Sequence, residues 1–251
     1  MMTYLLLCFF VSGLLLALIS TFSIQRKDRR FYQRLLFLQT GAALVLISIS
    51  GPLAALAHHS FYAHMWVHFL IGMLAPLFFV LGRGLSFFLS LLPTRAAKAA
   101  VRFLHLPLLR GFTFPAAALT LNLGGMAVLY LTPLYPMMMD SQALHWLVHI
   151  HFLAAGWLFT AVIVQTEPLP VKRSLLHRGA VLTAMIAGHG ILSKYLYANP
   201  PAGVSAAEAA SAAQMMYYSG DLVDVTLLVL LGWEWWRRRE VTPAAAAAHS
   251  K

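Results

Sequence analysis

Seven stretches of about 20 apolar residues, each bounded by charge, Pro or Gly, leave this chain little choice of solvent. They fall at 3–24, 35–57, 64–82, 114–132, 144–165, 178–197 and 221–236. A helix of about 20 residues rises about 30 Å, the thickness of the hydrocarbon core. Hydrophobic residues make up 60% of the 251 positions and charged residues only 10%, so nothing remains from which to build a soluble core. The expected fold is an all-α integral membrane protein, a seven-transmembrane-helix bundle over residues 1–239 with a disordered cytoplasmic tail at 240–251. The first apolar run lacks a basic residue before it and a small-residue cleavage pattern after it, which reads as a retained helix rather than a signal peptide.

The net charge of +10 would suggest nucleic acid in a soluble chain. Here the basic residues alternate by loop instead. Arg26, Lys27, Arg29, Arg30 and Arg34 follow the first span, and Arg83, Arg95, Lys98, Arg102 and Arg110 the third. Lys172, Arg173 and Arg178 follow the fifth, and Arg237, Arg238 and Arg239 the seventh. The loops at 58–63, 133–143 and 198–220 contain neither Lys nor Arg. The positive-inside rule then places the N-terminus outside and the C-terminus inside, with the lipid bilayer as the first partner and no nucleic acid.

That topology sorts the soft ligands to one side. His58, His59, His64 and His68 fall at the outer end of span three, His145, His149 and His151 at the outer end of span five, and His189 in the outer half of span six. Met137, Met138 and Met139 lie in the second outer loop, with Met215 and Met216 before span seven and Met65, Met73 and Met126 in the outer halves of spans. His64 and His68 are four apart, as are His145 and His149, so each pair shares a helix face about 6 Å apart along the axis. His151 points to another side of its helix. Asp221 and Asp224, three apart, share a face, and Lys194 ends span six; ionisable groups at such depth face the bundle interior, water or a partner.

Plain alternatives accompany each feature. A histidine near a helix end is often only an interfacial residue, membrane methionines usually pack, and Asp221 can serve as a cap. The single cysteine, Cys8, excludes an internal disulfide and any CxxC site. Arg95, Lys98 and Arg102 beside Val101, Phe103 and Leu104 describe a helix lying on the cytoplasmic membrane surface. Ser205 with Glu208 forms a capping-box pattern, so the last outer loop is expected to carry a short helix ending at Ser219-Gly220 and able to lid the outer face. Pro76 should kink span three.

"AHMWVHFLIGMLAPLFFVLG", "LHWLVHIHFLAAGWLF", "AGHGILSKYLY" and "MMYYSGDLVDVTLLVLLGWEW" resemble the successive signature blocks of the seven-helix CtaG family of cytochrome c oxidase assembly proteins, Bacillus type. The resemblance runs from span two to span seven. Members carry a Pro near position 84, where this chain has Gly84. It implies a multi-pass protein of the cytoplasmic (inner) membrane that helps mature haem-copper oxidase subunits by supplying or handling copper at the outer face.

The donor chemistry agrees with that implication, because Cu(I) favours thioether and imidazole, and a weak His/Met site releases the ion where a thiolate cage would keep it. The expected function is binding and transfer without catalysis. The metal ligands are expected to be His64, His68, His145 and His149, with His151 and His189 as further ligands. Asp221 and Asp224 would orient or attract, and Met137, Met138, Met139, Met215 and Met216 would pass the ion in or out, from a copper ion or copper donor. No phosphate loop, nucleophile elbow or HExxH motif occurs. Two other readings stay open: a bis-histidine haem protein for electron transfer, and a transporter using Lys194, Asp221 and Asp224.

Overall fold

The computed structural model describes residues 7, 11, 13 and 29–248, with side-chain surroundings as far as residue 239. The expected span 3–24 therefore lies outside the described residues apart from those three positions, as do residues 249–251 of the expected tail. Among the described residues there is no strand. Five helices are long and apolar enough to cross a membrane, or six if one bent pair is counted as a span.

The order of elements follows the backbone chemistry. Helix α1, Arg29–Ile49, stops at Ser50, whose backbone is extended. Gly51 then adopts φ +75°, a left-handed conformation that glycine takes without a Cβ clash. Pro52 sits in the first turn of α2, Gly51–Ala57, where its missing N–H costs nothing. The apolar window 35–57 is thus two helices rather than one.

Span three is built as α3, Phe61–Phe69, a π-helical turn at Leu70–Leu74, and α4, Ala75–Leu81. Ser60 caps α3 by accepting from the Ala63 N–H. Pro76 lacks the N–H that would bond to the Gly72 carbonyl, and the π turn absorbs the defect, with the Ala75 N–H reaching back to Leu70 O.

Helices α5, Gly84–Leu91, α6, Thr94–Leu104, and α7, Pro107–Phe112, form the basic connection. No residue of α6 is buried, as a surface helix requires. The fourth expected span, 114–132, is the single helix α8, Pro115–Leu131; the loop expected after it holds α9, Leu134–Asp140, set at 79° to α8 across Thr132-Pro133. Ser141 caps α10, Gln142–Val164, and Ser174 caps α11, Leu175–Ala198. Finally α12, Ala206–Ala248, runs unbroken through Ser219-Gly220, where the sequence predicts a stop.

Burial ranks these helices. In the span Phe61–Leu81, 61% of the most apolar window is buried, and in Gln142–Val164 56%, against 22–33% for the other long helices. The two helices that carry the histidine pairs are therefore the central ones. They cross very closely. A Cβ on Gly156 would lie 1.9 Å from Gly72 O and 3.1 Å from the Pro76 ring, so only glycine lets α10 rest on the carbonyl that Pro76 leaves without an i+4 donor. Around this pair, α12 packs on both α11 and α3, α1 on α4, and α8 on α10 and α11.

The opposite end is closed by paired charge. Arg178, fully buried, donates to Ile163 O at 2.6 Å and to both carboxylate oxygens of Glu234 at 2.8 and 2.9 Å. Glu167 accepts from the Leu85 and Ser86 N–H groups and the Ser86 hydroxyl, capping α5. Lys172, in the loop between α10 and α11, donates to Gln165 O and Glu167 O, and burial followed by the nearby Arg178 holds its ammonium below the usual lysine range.

Candidate functional site

The Gly72–Gly156 crossing sets the register in which α3 and α10 present their histidines. His64 and His68 stack one turn apart with ring centroids 4.1 Å apart, and His145 and His149 repeat this at 4.3 Å. Between helices, His149 stands 5.4 Å from His68 and 6.4 Å from His64. His58, carried in at the end of α2, adds an edge contact to His145 at 4.9 Å. The five rings form a continuous line from His58 to His64. They do not converge on one point: among the described residues, no three His, Cys, Asp or Glu side chains stand as a group that could hold a metal ion.

A hydrogen bond to a carbonyl fixes the tautomer of His149. His149 Nδ1 lies 2.8 Å from the His145 carbonyl. A carbonyl only accepts, so Nδ1 bears the proton and Nε2 of the neutral ring is free to bind a cation. His68 Nδ1 lies 3.0 Å from the Tyr130 hydroxyl, which is itself 3.1 Å from Met65 sulfur. One hydroxyl proton serves these two neighbours: given to the sulfur, it lets the tyrosine oxygen accept from His68 Nδ1–H and leaves the lone pair on Nε2; given to Nδ1, it leaves the His68 proton on Nε2. That Nε2 is buried without a protein partner, as are both nitrogens of His64. His64 itself is wholly inaccessible, between Phe61, whose ring is nearly parallel to it, and the tilted ring of His68, with Tyr135 at its edge. Native proteins seldom leave such groups unsatisfied, and where they do a functional reason is sought.

The His58 end of the line borders open space. A cavity of about 490 Å³ is bordered by His58, His145, His149, Met138, Met139 and Asp140. Over the N-terminus of α3, Glu208 accepts from the Ser60 hydroxyl at 2.7 Å and the Tyr62 N–H at 3.3 Å, fastening the start of α12 above the buried histidines.

The other expected ligands are dispersed. His151 donates Nε2–H to Leu121 O at 3.1 Å and lies against Gly125, which ties α10 to α8 on a side away from the His64–His149 group. His189 is buried against Gly220, where a Cβ would come within 2.2 Å of its ring. It shares a separate small cavity with His68. Met137 is exposed, Met138 fully buried, and Met215 and Met216 buried. Asp221 is partly buried; Asp224 is buried with neither carboxylate oxygen partnered. His58, Tyr130 and Tyr135 join the site without a spacing signal, because each arrives from another helix; the break at Gly51 that delivers His58 is visible only as a Gly-Pro pair.

Residues 15–238 match the family described as cytochrome c oxidase caa3 assembly factor (Caa3_CtaG). Among curated proteins, the chain is 26% identical over 163 residues to an uncharacterized protein of Mycobacterium bovis and to one of Mycobacterium tuberculosis. It is 25% identical over 168 residues to one of Mycobacterium leprae. Each match covers 62% of this chain and 25% of the relative, so the chain spans about a quarter of the length of these relatives. No solved structure matches.

Proposed function

The chain belongs to the cytochrome c oxidase caa3 assembly factor family, and we propose that within this role it binds copper at the outer membrane face and hands it to haem-copper oxidase subunits. The observation that carries the proposal is the set of buried imidazole nitrogens without partners, on His64 and His68, beside an open cavity lined by His58, His145, His149, Met138, Met139 and Asp140. Imidazole and thioether suit Cu(I), and Asp140 at the rim favours cation arrival.

An unconverged line of rings suits a cargo. Each ion is held by two or three donors at a time and moves by exchanging one donor for the next, with no change of oxidation state. A closed tetrahedral site would bind more tightly and release more slowly. The protein acts without turnover chemistry, in the cytoplasmic membrane, with the histidine end outside as its basic loops direct. Its partners are lipid, oxidase subunits and a copper donor.

The test is metal analysis and an absorbance spectrum of the protein purified without strong chelators. Copper should be present and should fall in the variant carrying His64→Ala, His68→Ala, His145→Ala and His149→Ala. Unchanged copper in that variant refutes the assignment, and a strong visible haem band in the native protein would move the histidines to haem ligation.

A further inference from the structure

Beyond the line of rings lies a second, smaller space of about 30 Å³, whose lining includes Met65, His68, Met73, Met126, His189 and Met216. About 10–15 Å³ of such volume accommodates one water-sized sphere, so the space is of single-ion scale. Its donors come from five separate elements: Met65 and His68 from α3, Met73 from the π turn, Met126 from α8, His189 from α11 and Met216 from α12. We infer that this cavity is a Cu(I)-selective holding site, distinct from the outer histidine line and reached from it through His68.

Methionine commonly fills irregular core gaps, and that explanation would suffice if the surrounding residues were apolar. They are not. Two imidazoles border the space, and one of them, His68, has an Nε2 that is buried without a protein partner. The Tyr130 hydroxyl lies 3.1 Å from Met65 sulfur and 3.0 Å from His68 Nδ1, so one tyrosine positions a thioether beside an imidazole. The Gly220 backbone is bare where the His189 ring lies, which brings that ring inward.

Thioether sulfur discriminates. It binds Cu(I) well and Zn(II) poorly, whereas the outer imidazoles accept both. His68 touches both regions, since its ring also lies 5.4 Å from His149. Cu(I) released by His149 can therefore be taken up by His68 and then by the sulfurs, as a ligand exchange that needs no oxidant or reductant. The outer line would admit the ion and the inner cavity would select it.

This inference rests on the copper reading, and the experiment separates the two. The full chain in detergent is titrated anaerobically with Cu(I) against bicinchoninate, and separately with Zn(II). The wild type should take up two equivalents of Cu(I). The volume-conserving variant Met126→Leu/Met216→Leu should lose one of them and keep its Zn(II) uptake, while His145→Ala/His149→Ala should lose the other. Two equivalents of undiminished affinity in the methionine variant overturn the inner site and leave the outer one standing; no Cu(I) uptake by the wild type overturns both. A copper absorption-edge spectrum of the loaded wild type gives a check independent of any variant's folding: sulfur scatterers are expected, and a purely nitrogen shell overturns the inference.

Discussion

Gly156→Ala adds one methyl group at the place where the two central helices meet. Its Cβ would sit 1.9 Å from Gly72 O and 2.8 Å from Gly72 C. Carbon and carbonyl oxygen in contact across helices keep about 3.3–3.6 Å, so the helices must part there by roughly 1.5 Å. Neither neighbour can yield by a side-chain rotation, because both are backbone atoms and Pro76 stiffens the turn behind them. Overpacking of this kind costs about 1–3 kcal/mol, and the backbone clash places this case in the upper part, about 2–3 kcal/mol. At about 2–4 °C per kcal/mol for a domain of this size, the melting temperature in detergent should drop by roughly 4–12 °C. His68 lies one turn from Gly72 and His149 about two turns from Gly156, so the gap between their rings, 5.4 Å in the native chain, should widen too. Copper uptake should fall along with the melting temperature even though no ligand has been changed. A Gly156→Ala protein with native melting and native copper uptake would refute the claim that this crossing holds the two histidine pairs in register.

Two further outcomes follow from the other end of the bundle and from its topology. Glu234→Ala strips the buried Arg178 of its carboxylate and should cost about 3 kcal/mol, whereas the double variant Arg178→Met/Glu234→Ala should recover much of the lost detergent melting temperature; a double variant no better than the single one would show that the pair is not what the burial of Arg178 depends on. With Cys8 replaced by Ser, single cysteines at the exposed positions Ala143 and Ala202 should react with an impermeant reagent from outside, and one at Ala99 should not; the reverse pattern removes the outer-face site altogether.

The histidine pairs were legible because an i,i+4 spacing on an apolar helix is local information, and both pairs stand together in the structure. The spans at 64–82, 144–165 and 178–197 were legible for a similar reason, since hydropathy over about 20 residues reports the solvent of a segment. Hydropathy does not report breaks in direction. Ser50-Gly51 lies inside an apolar window yet turns the chain, and Thr132-Pro133, at the end of the fourth window, turns it by 79° into α9. Ser219-Gly220 misled in the opposite sense: the glycine serves the His189 ring packed against it, and the helix passes straight through. The division of His68 and His189 from His58, His145 and His149 into two cavities depends on crossing points between helices far apart in sequence. So does the separation of His151 from both. Tyr130 reaches Met65 and His68 across 65 and 62 positions, a relation that no pattern along the chain encodes.

The central claim, that the outer histidine line supplies copper to a nascent oxidase, is tested most directly in cells producing the His64→Ala/His149→Ala variant, with its membrane abundance and the haem-copper oxidase activity measured together across a range of copper in the medium. If the line raises the copper available to the oxidase, its loss acts by mass action and leaves the oxidase's own affinity untouched. The variant should then be present at the native level, show a defective oxidase under copper limitation, and regain activity as copper is raised. Full oxidase activity under copper limitation, at native abundance of the variant, would contradict the account.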